Sequence, residues 1–271
     1  MSGPAGTDPR WLRPCAGDWR DGGGPVLLCL PHAGAGALSF AGWEWHGLGG
    51  FEPVAVRLPG REDRFEEEPV TDWAALVTLI ADALGDLAYR PLAVFGHSMG
   101  ALTGFELLRE LRRRGLPDPV LFVASAHLAP QRMPAGDLPA APAPRGTDEL
   151  LAYMRRLDAD GPGELLDDPE WREMVLRPLR GDLRLHDAYR YRELPPLATP
   201  FVVISGDDDP AAPAAGCAGW TELTSAAGVR RGYPGGHFYL RERRDQLLTD
   251  LSGDLEQALD ARRTAAEGGG R

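Results

Sequence analysis

The sequence predicts an α/β fold: a mostly parallel central sheet with helices on both faces and a helical insertion past the middle of the chain. Three observations carry this. Five short, continuous apolar runs bounded by Gly and Pro recur along the chain. Amphipathic segments at helical spacing lie between them. The alternation stops between about 130 and 195 and then resumes. Strands buried on both faces of a parallel sheet read as unbroken apolar runs, and their alternation with helices marks a layered α/β architecture.

Taken in order, residues 1–24 are rich in Gly, Pro and Asp and read as a flexible N-terminal arm. The apolar runs are "VLLCL" (26–30), "VAVRL" (54–58), "LAVFG" (92–96), "VLFVA" (120–124) and "FVVIS" (201–205). "DWAALVTLIADALGDL" (72–87) is an amphipathic helix that Thr71 or Asp72 can cap. "LTGFELLRELRRRG" (102–115) is a second helix, stopped at Gly115. Its "RRRG" end places cations where the helix dipole favours them. A Pro/Ala-rich connection (134–146) leads to two more helical segments, 147–159 and 168–194, with no strand between them. The expected organisation is an arm over 1–24, a core over 25–130 and 196–260, a helical lid insertion over 131–195 and a disordered tail over 261–271.

Composition bounds the function. Hydrophobic residues make up 43% and charged residues 25%, the balance of a globular protein. No apolar run approaches the ~20 residues of a membrane span, and "MSGPAGTDPRWLRP" lacks the apolar centre of a secretory signal. Three well-separated cysteines, Cys15, Cys29 and Cys217, suggest neither a metal site nor a disulfide framework. A cytoplasmic location fits them. Cys29 lies within an apolar run and reads as a core residue. The net charge of −11 argues against nucleic acid as a partner. All 29 basic residues are arginine.

The chemistry centres on "AVFGHSMGALTGFELL" (93–108), which holds Gly96-x-Ser98-x-Gly100. With a strand before it and a helix after it, this pattern is a turn that exposes a nucleophilic serine above the sheet. A serine hydroxyl needs a base, and the chain order in such hydrolases is serine, acid, histidine. His32, His46, His97 and His127 come too early, and His186 falls in the helical insertion. His237, in "GYPGGHFYL", remains as the base. The acid belongs after "FVVIS", in "GDDDP", where Asp207, Asp208 and Asp209 are all candidates. Two backbone donors should form an oxyanion hole: the N–H of Met99, which follows the serine, and one from the glycine-rich loop "LPHAGAGALSF" (30–40), where Ala33 is the choice. That loop lacks the Gly-Lys-Ser/Thr ending of a phosphate-binding loop.

Together these pieces resemble the type II thioesterases, the stand-alone editing enzymes of polyketide and nonribosomal peptide assembly lines, within the α/β-hydrolase superfamily. "LLCLPHAGAGALSF", "VRLPGREDRFEEEP" (56–69), "VFGHSMGALTGFEL" and "GGHFYL" are similar to that family's successive segments, over about 11–250. The family's Gly-x-x-Asp pattern selects Gly206 and Asp209. Ala35 and Ala212 depart from it, standing where the family has glycine and often valine. The resemblance implies a Ser98–His237–Asp209 triad and an acyl thioester substrate on the phosphopantetheine arm of an acyl or peptidyl carrier protein. It also implies no separate cofactor, no metal and a lid that shapes the acyl channel. A monomer is expected. Because carrier proteins are generally acidic, arginines at the mouth of the site are expected to supply a local positive surface. The rival readings are a general carboxylesterase or lipase, an acyltransferase and a non-catalytic scaffold. The late histidine and the complete triad argue for a hydrolase.

Overall fold

The sheet is built from seven strands. They are β1 (Leu12–Pro14), β2 (Val26–Leu30), β3 (Glu52–Val56), β4 (Leu92–His97), β5 (Leu121–Ser125), β6 (Phe201–Gly206) and β7 (Gly228–Tyr233). In this computed structural model, which describes residues 6–16, 18–19, 23–133, 146–157 and 166–268, they lie in the order β1-β3-β2-β4-β5-β6-β7. Every pairing is parallel except β1 with β3. The helices are α1 (Trp73–Leu84), α2 (Met99–Arg113), α3 (Thr147–Leu157), α4 (Pro169–Asp187), the one-turn α5 (Ala214–Cys217) and α6 (Tyr239–Glu242), and α7 (Arg244–Gly268).

Successive strand residues point to opposite faces, so each inner strand supplies two apolar layers. Val26, Leu28 and Leu30 face a core that includes Ile80, Leu84, Phe105 and Leu108 of α1 and α2. Leu27 and Cys29 face the other core, closed by Leu247, Leu248, Leu251, Leu255 and Leu259 of α7. Each such leucine, fully buried, contributes about 1.5–3 kcal/mol. Helix ends follow local chemistry. Asp72 caps α1 by accepting from the Ala75 N–H at 2.7 Å. Past α2, Gly115 takes φ +68°, and the N–H groups of Gly115 and Leu116 return to the carbonyls of Arg112 and Leu111.

Two expectations at the chain ends are corrected. Within the expected N-terminal arm, Leu12–Pro14 pairs antiparallel with β3, and Trp11 and Leu12 are buried in the core. Besides these side chains, the Arg57 N–H bonds the Trp11 carbonyl at 2.7 Å and the Cys15 N–H bonds the Pro53 carbonyl at 2.9 Å, tying this short edge strand to its neighbour. Residues 1–5, 17 and 20–22 lie outside the described set. At the other end α7 continues to Gly268, so residues 261–268 are helical rather than a disordered tail. The run Ala261-Arg262-Arg263-Thr264-Ala265 extends the helix with mostly strong helix formers. Residues 269–271 are outside the described set.

The insertion holds α3 and α4, and no strand lies between β5 and β6 among the described residues. Its Pro/Ala-rich beginning (134–145) and residues 158–165 are outside the described set. Leu150 of α3 packs on Leu176, Leu179 and Leu183 of α4. The helix expected to run to 194 ends at Asp187, because Tyr189 turns inward to bond Glu106 at 2.6 Å and to stack edge-on against Trp73. No helix among the described residues is long and apolar enough to cross a membrane.

The topology marks one crevice. β2 and β4 are neighbours, with Leu30 opposite Gly96. The chain leaves β2 for β3 on one side and leaves β4 for β5 on the other. Ligands of open α/β sheets bind at such a reversal, beyond the carboxyl ends of the strands.

Candidate active site

Ser98 stands at this reversal, between the end of β4 and the start of α2, with φ +54° and ψ −124°. Such a conformation costs a non-glycine residue about 1–3 kcal/mol. It is held by the Ser98 N–H bonding the Ser125 carbonyl at 2.8 Å and by the Ala101 N–H returning to the Ser98 carbonyl at 2.8 Å. Close backbone packing explains both flanking glycines. A Cβ on Gly96 would collide with the Gly100 carbonyl, and one on Gly100 would collide with the Leu30 carbonyl. Neither obstacle is a flexible side chain. Gly100→Ala is therefore expected to lower unfolding free energy by about 3 kcal/mol or more. The check is a lower denaturant midpoint at unchanged slope; a variant as stable as the parent would mean that β2 and α2 can part at little cost.

His237 lies in the loop between β7 and α6, and its Nε2 is 3.0 Å from Ser98 Oγ. Its Nδ1 is 2.7 Å from Asp209 Oδ2. The other oxygen of Asp209, Oδ1, accepts from the N–H groups of Ala211 at 2.8 Å and Ala212 at 3.2 Å. The side chains of His237 and Asp209 are 3% and 0% exposed, so water does not compete for their contact. Asp207 and Asp208, the other two candidates, are exposed. The structure thus brings Ser98, His237 and Asp209 into one hydrogen-bonded line, with Asp209 the member of the Asp run that reaches the imidazole.

None of the remaining histidines bonds Ser98 among the described contacts, although His32 borders the same cavity and the His97 ring lies 5.3 Å from that of His237. Burial, reinforced by the neighbouring Arg241, lowers His32 to about 3. Burial likewise holds His97 well below the ordinary histidine range and lowers His127 to about 3. All three stay neutral and accept protons poorly. His97 is tied by Nδ1 to Ser125 Oγ at 2.8 Å, and Ser125 to the Tyr239 hydroxyl at 2.6 Å, a buried support beneath the site. His127 and His186 bond each other at 3.0 Å, and His46 sits near Asp245. The thiols offer no competing nucleophile: burial pushes Cys15 and Cys217 up to about 12 and Cys29 well above the usual value.

Ser98 and His237 open into a cavity of about 420 Å³. The loop after β2 forms one side, with Ala33 on its wall. Met99 begins α2, so its N–H is among the first four of the helix, which have no intrahelical acceptor. Ala33 thus lines the same cavity as Ser98, and Met99 follows the serine directly at the start of α2. The lid adds Tyr153, Met154, Leu157, Val175 and Leu179 to the lining. The lid's Trp171 and Met174 face away, 53% and 45% exposed. Arg241, next to the histidine loop, also borders the cavity, with its guanidinium 4.3 Å from the Phe238 ring centroid. Sequence reasoning left open which lid residues form the wall, since an amphipathic helix does not announce which part of its apolar face is buried. Among the described residues no cluster of His, Cys, Asp and Glu could hold a metal ion.

Comparison with known proteins identifies the family. The thioesterase domain family model matches residues 25–255. The chain is 40% identical over 204 residues to the AMB antimetabolite synthetase AmbE of Pseudomonas aeruginosa, covering 73% of this chain but only 9% of that much longer protein. It is 32% identical over 234 residues to the gramicidin S biosynthesis protein GrsT of Aneurinibacillus migulanus, covering 86% of this chain and 90% of the relative. Among solved structures, the type II thioesterase BorB from the borrelidin biosynthetic cluster superposes with a TM-score of 0.80 at 34% identity, covering 92% of this chain and 98% of that one.

Proposed function

From the premise that this chain belongs to the thioesterase domain family, we propose that it hydrolyses acyl groups from the phosphopantetheine arm of carrier proteins, clearing aberrant or stalled units from a polyketide or nonribosomal peptide synthase. The observation that carries this is the line from Ser98 through His237 to Asp209, opening into an apolar chamber beneath a helical lid. The similarity to a gramicidin S biosynthesis protein and to a type II thioesterase of a borrelidin cluster supports the substrate class.

Ser98 Oγ attacks the thioester carbonyl carbon while His237 Nε2 takes the hydroxyl proton. Asp209 holds Nδ1–H and stabilises the imidazolium that forms. The N–H groups of Ala33 and Met99 stabilise the developing oxyanion. Collapse breaks the C–S bond, and the proton on His237 goes to the departing sulfur. A thiol of pKa ~8.5 is a good leaving group, so this step needs little acid assistance. Water then attacks the acyl-serine and gives its proton to His237. The second tetrahedral intermediate releases the free acid and restores Ser98 Oγ–H. Arg241, exposed at the chamber, supplies a cation where the phosphate of an incoming arm would pass.

The test is hydrolysis of short acyl groups from carrier-bound pantetheine beside the matching p-nitrophenyl esters, with Ser98→Ala as control. Faster carrier-thioester cleavage that vanishes in the control is expected. Efficient ester cleavage with carrier thioesters left intact would move the function to a general esterase on the same triad.

A further inference from the structure

The segment "PGRE" (59–62) and the middle of the lid helix take no part in the mechanism above, yet they meet at the oxyanion loop. Arg61 and Asp182, 121 residues apart, form a two-pronged pair. One guanidinium nitrogen of Arg61 lies 2.6 Å from Asp182 Oδ2 and the other 2.8 Å from Oδ1. Both side chains are buried, 5% and 4% exposed. The pair does not close on itself. Asp182 Oδ2 also accepts from the Gly34 N–H at 2.8 Å, and Arg61 also donates to the Ala35 carbonyl at 2.9 Å. Next door, Glu62 accepts from the Leu38 N–H at 2.9 Å, with its own backbone at φ +51°. A strained, non-glycine residue of this kind persists where its surroundings over-determine it. The loop that carries Ala33 is thus fixed from outside at three successive points.

Asp182 shares a helix face with two chamber walls. Val175, Leu179 and Asp182 are spaced four and three residues apart on α4 and so lie one above the other. Leu179 packs directly over Gly34, where an added Cβ would lie 3.1 Å from the leucine Cβ. One helix surface therefore both closes the acyl chamber and holds the peptide unit that follows Ala33. Isolated burial of either charge would be costly, and a pair held only for stability is readily replaced by apolar residues. Its hydrogen bonds to two peptide groups of the oxyanion loop give it another use.

We propose that Arg61 and Asp182 are positioning residues that seat the Ala33 oxyanion donor, and that α4 thereby couples closure of the lid to oxyanion stabilisation. This rests on the reading of Ser98 as an acyl-enzyme nucleophile. When α4 is seated, the wall and the donor are both in place. When α4 moves away, Asp182 leaves the Gly34 N–H and the donor loses its support, so a bound acyl chain that holds the lid down also completes the machinery that cleaves it.

The experiment replaces the pair with apolar residues, Arg61→Met with Asp182→Leu, alongside Asp182→Asn alone. The readouts are kcat and KM on p-nitrophenyl acetate and on acetyl-pantetheine, and affinity for a trifluoromethyl ketone that forms a tetrahedral adduct with Ser98. The double variant should fold and melt near the parent, with kcat down about 10- to 100-fold on both substrates and KM within about 3-fold. The ketone should weaken by the same factor as kcat/KM, as an oxyanion effect requires. Parental kcat, or a loss confined to KM, would overturn the proposal. Should the variants fail to fold, amide exchange in the unaltered protein decides: the Gly34 N–H must exchange as slowly as the α4 backbone, and unprotected exchange there overturns the coupling. An unaltered protein inactive on thioesters, with the ester ratios intact, would sink the substrate assignment and leave this inference standing.

Discussion

Ser98→Ala, His237→Ala and the double variant should all lose about the same factor in kcat, about 10⁵- to 10⁶-fold. The reason is the shared 3.0 Å contact between Ser98 Oγ and His237 Nε2. A hydroxyl without its base is a weak nucleophile, and a base without its hydroxyl has nothing to activate. Removing the second group therefore costs little once the first is gone. The neighbouring imidazoles cannot stand in. His32, though it borders the cavity, is lowered to about 3 by burial, and His97 is likewise held neutral. The fold should not suffer from the serine change, because the substituted alanine inherits the same strained backbone and only one oxygen is lost. Its stability should stay within about 0.5 kcal/mol of the parent. Single-turnover release of acyl groups from a pantetheine thioester, with thermal melts of each variant, makes the comparison. A double variant slower than the parent by the product of the two single losses would mean that the two residues act independently. A His237→Ala enzyme within tenfold of the parent would point to a different base.

How much of this was legible in the sequence depended on which force fixed each feature. The inner strands are buried on both faces, so "VLLCL" and "FVVIS" could be read as unbroken apolar runs, and they form β2 and β6. β7, "GVRRGY", is an edge strand whose only buried residue is Tyr233, and nothing in its pattern distinguishes it from a polar loop. β1 is three residues in a Gly- and Pro-rich stretch, and its existence depends on β3 lying beside it. Ser98 and His237 were legible because the chemistry demands those residue types in that order. Gly96 and Gly100 were legible because no side chain fits there. Arg61 and Asp182 were not. Their meaning lies in a contact across 121 residues, and either alone reads as a solvated charge.

The acid shows the same limit, and it gives the second large effect. Asp209→Asn should lower kcat about 10⁴-fold with little change in KM, while Asp207→Asn and Asp208→Asn should stay within about threefold of the parent, the ordinary outcome for exposed positions. Three successive aspartates are equivalent in composition. What separates them is where β6 ends. The strand finishes at Gly206, and the turn that follows buries only the third carboxylate. That carboxylate is used on both sides. Oδ1 accepts two backbone N–H groups, from Ala211 and Ala212, and Oδ2 faces His237 Nδ1. An asparagine has one acceptor oxygen, and the two N–H groups draw it to the Oδ1 side. Its amide N–H₂ is then aimed at the imidazole, which must accept at Nδ1 and carry its proton on Nε2. That tautomer presents a donor to Ser98 where an acceptor is required, so the base is lost although every ring stays in place. Kinetics of the three variants on one acyl thioester decide the matter. A loss of about 10⁴-fold in the Asp207 or Asp208 variant, with Asp209→Asn active, would show that the working enzyme draws its acid from a rearranged turn.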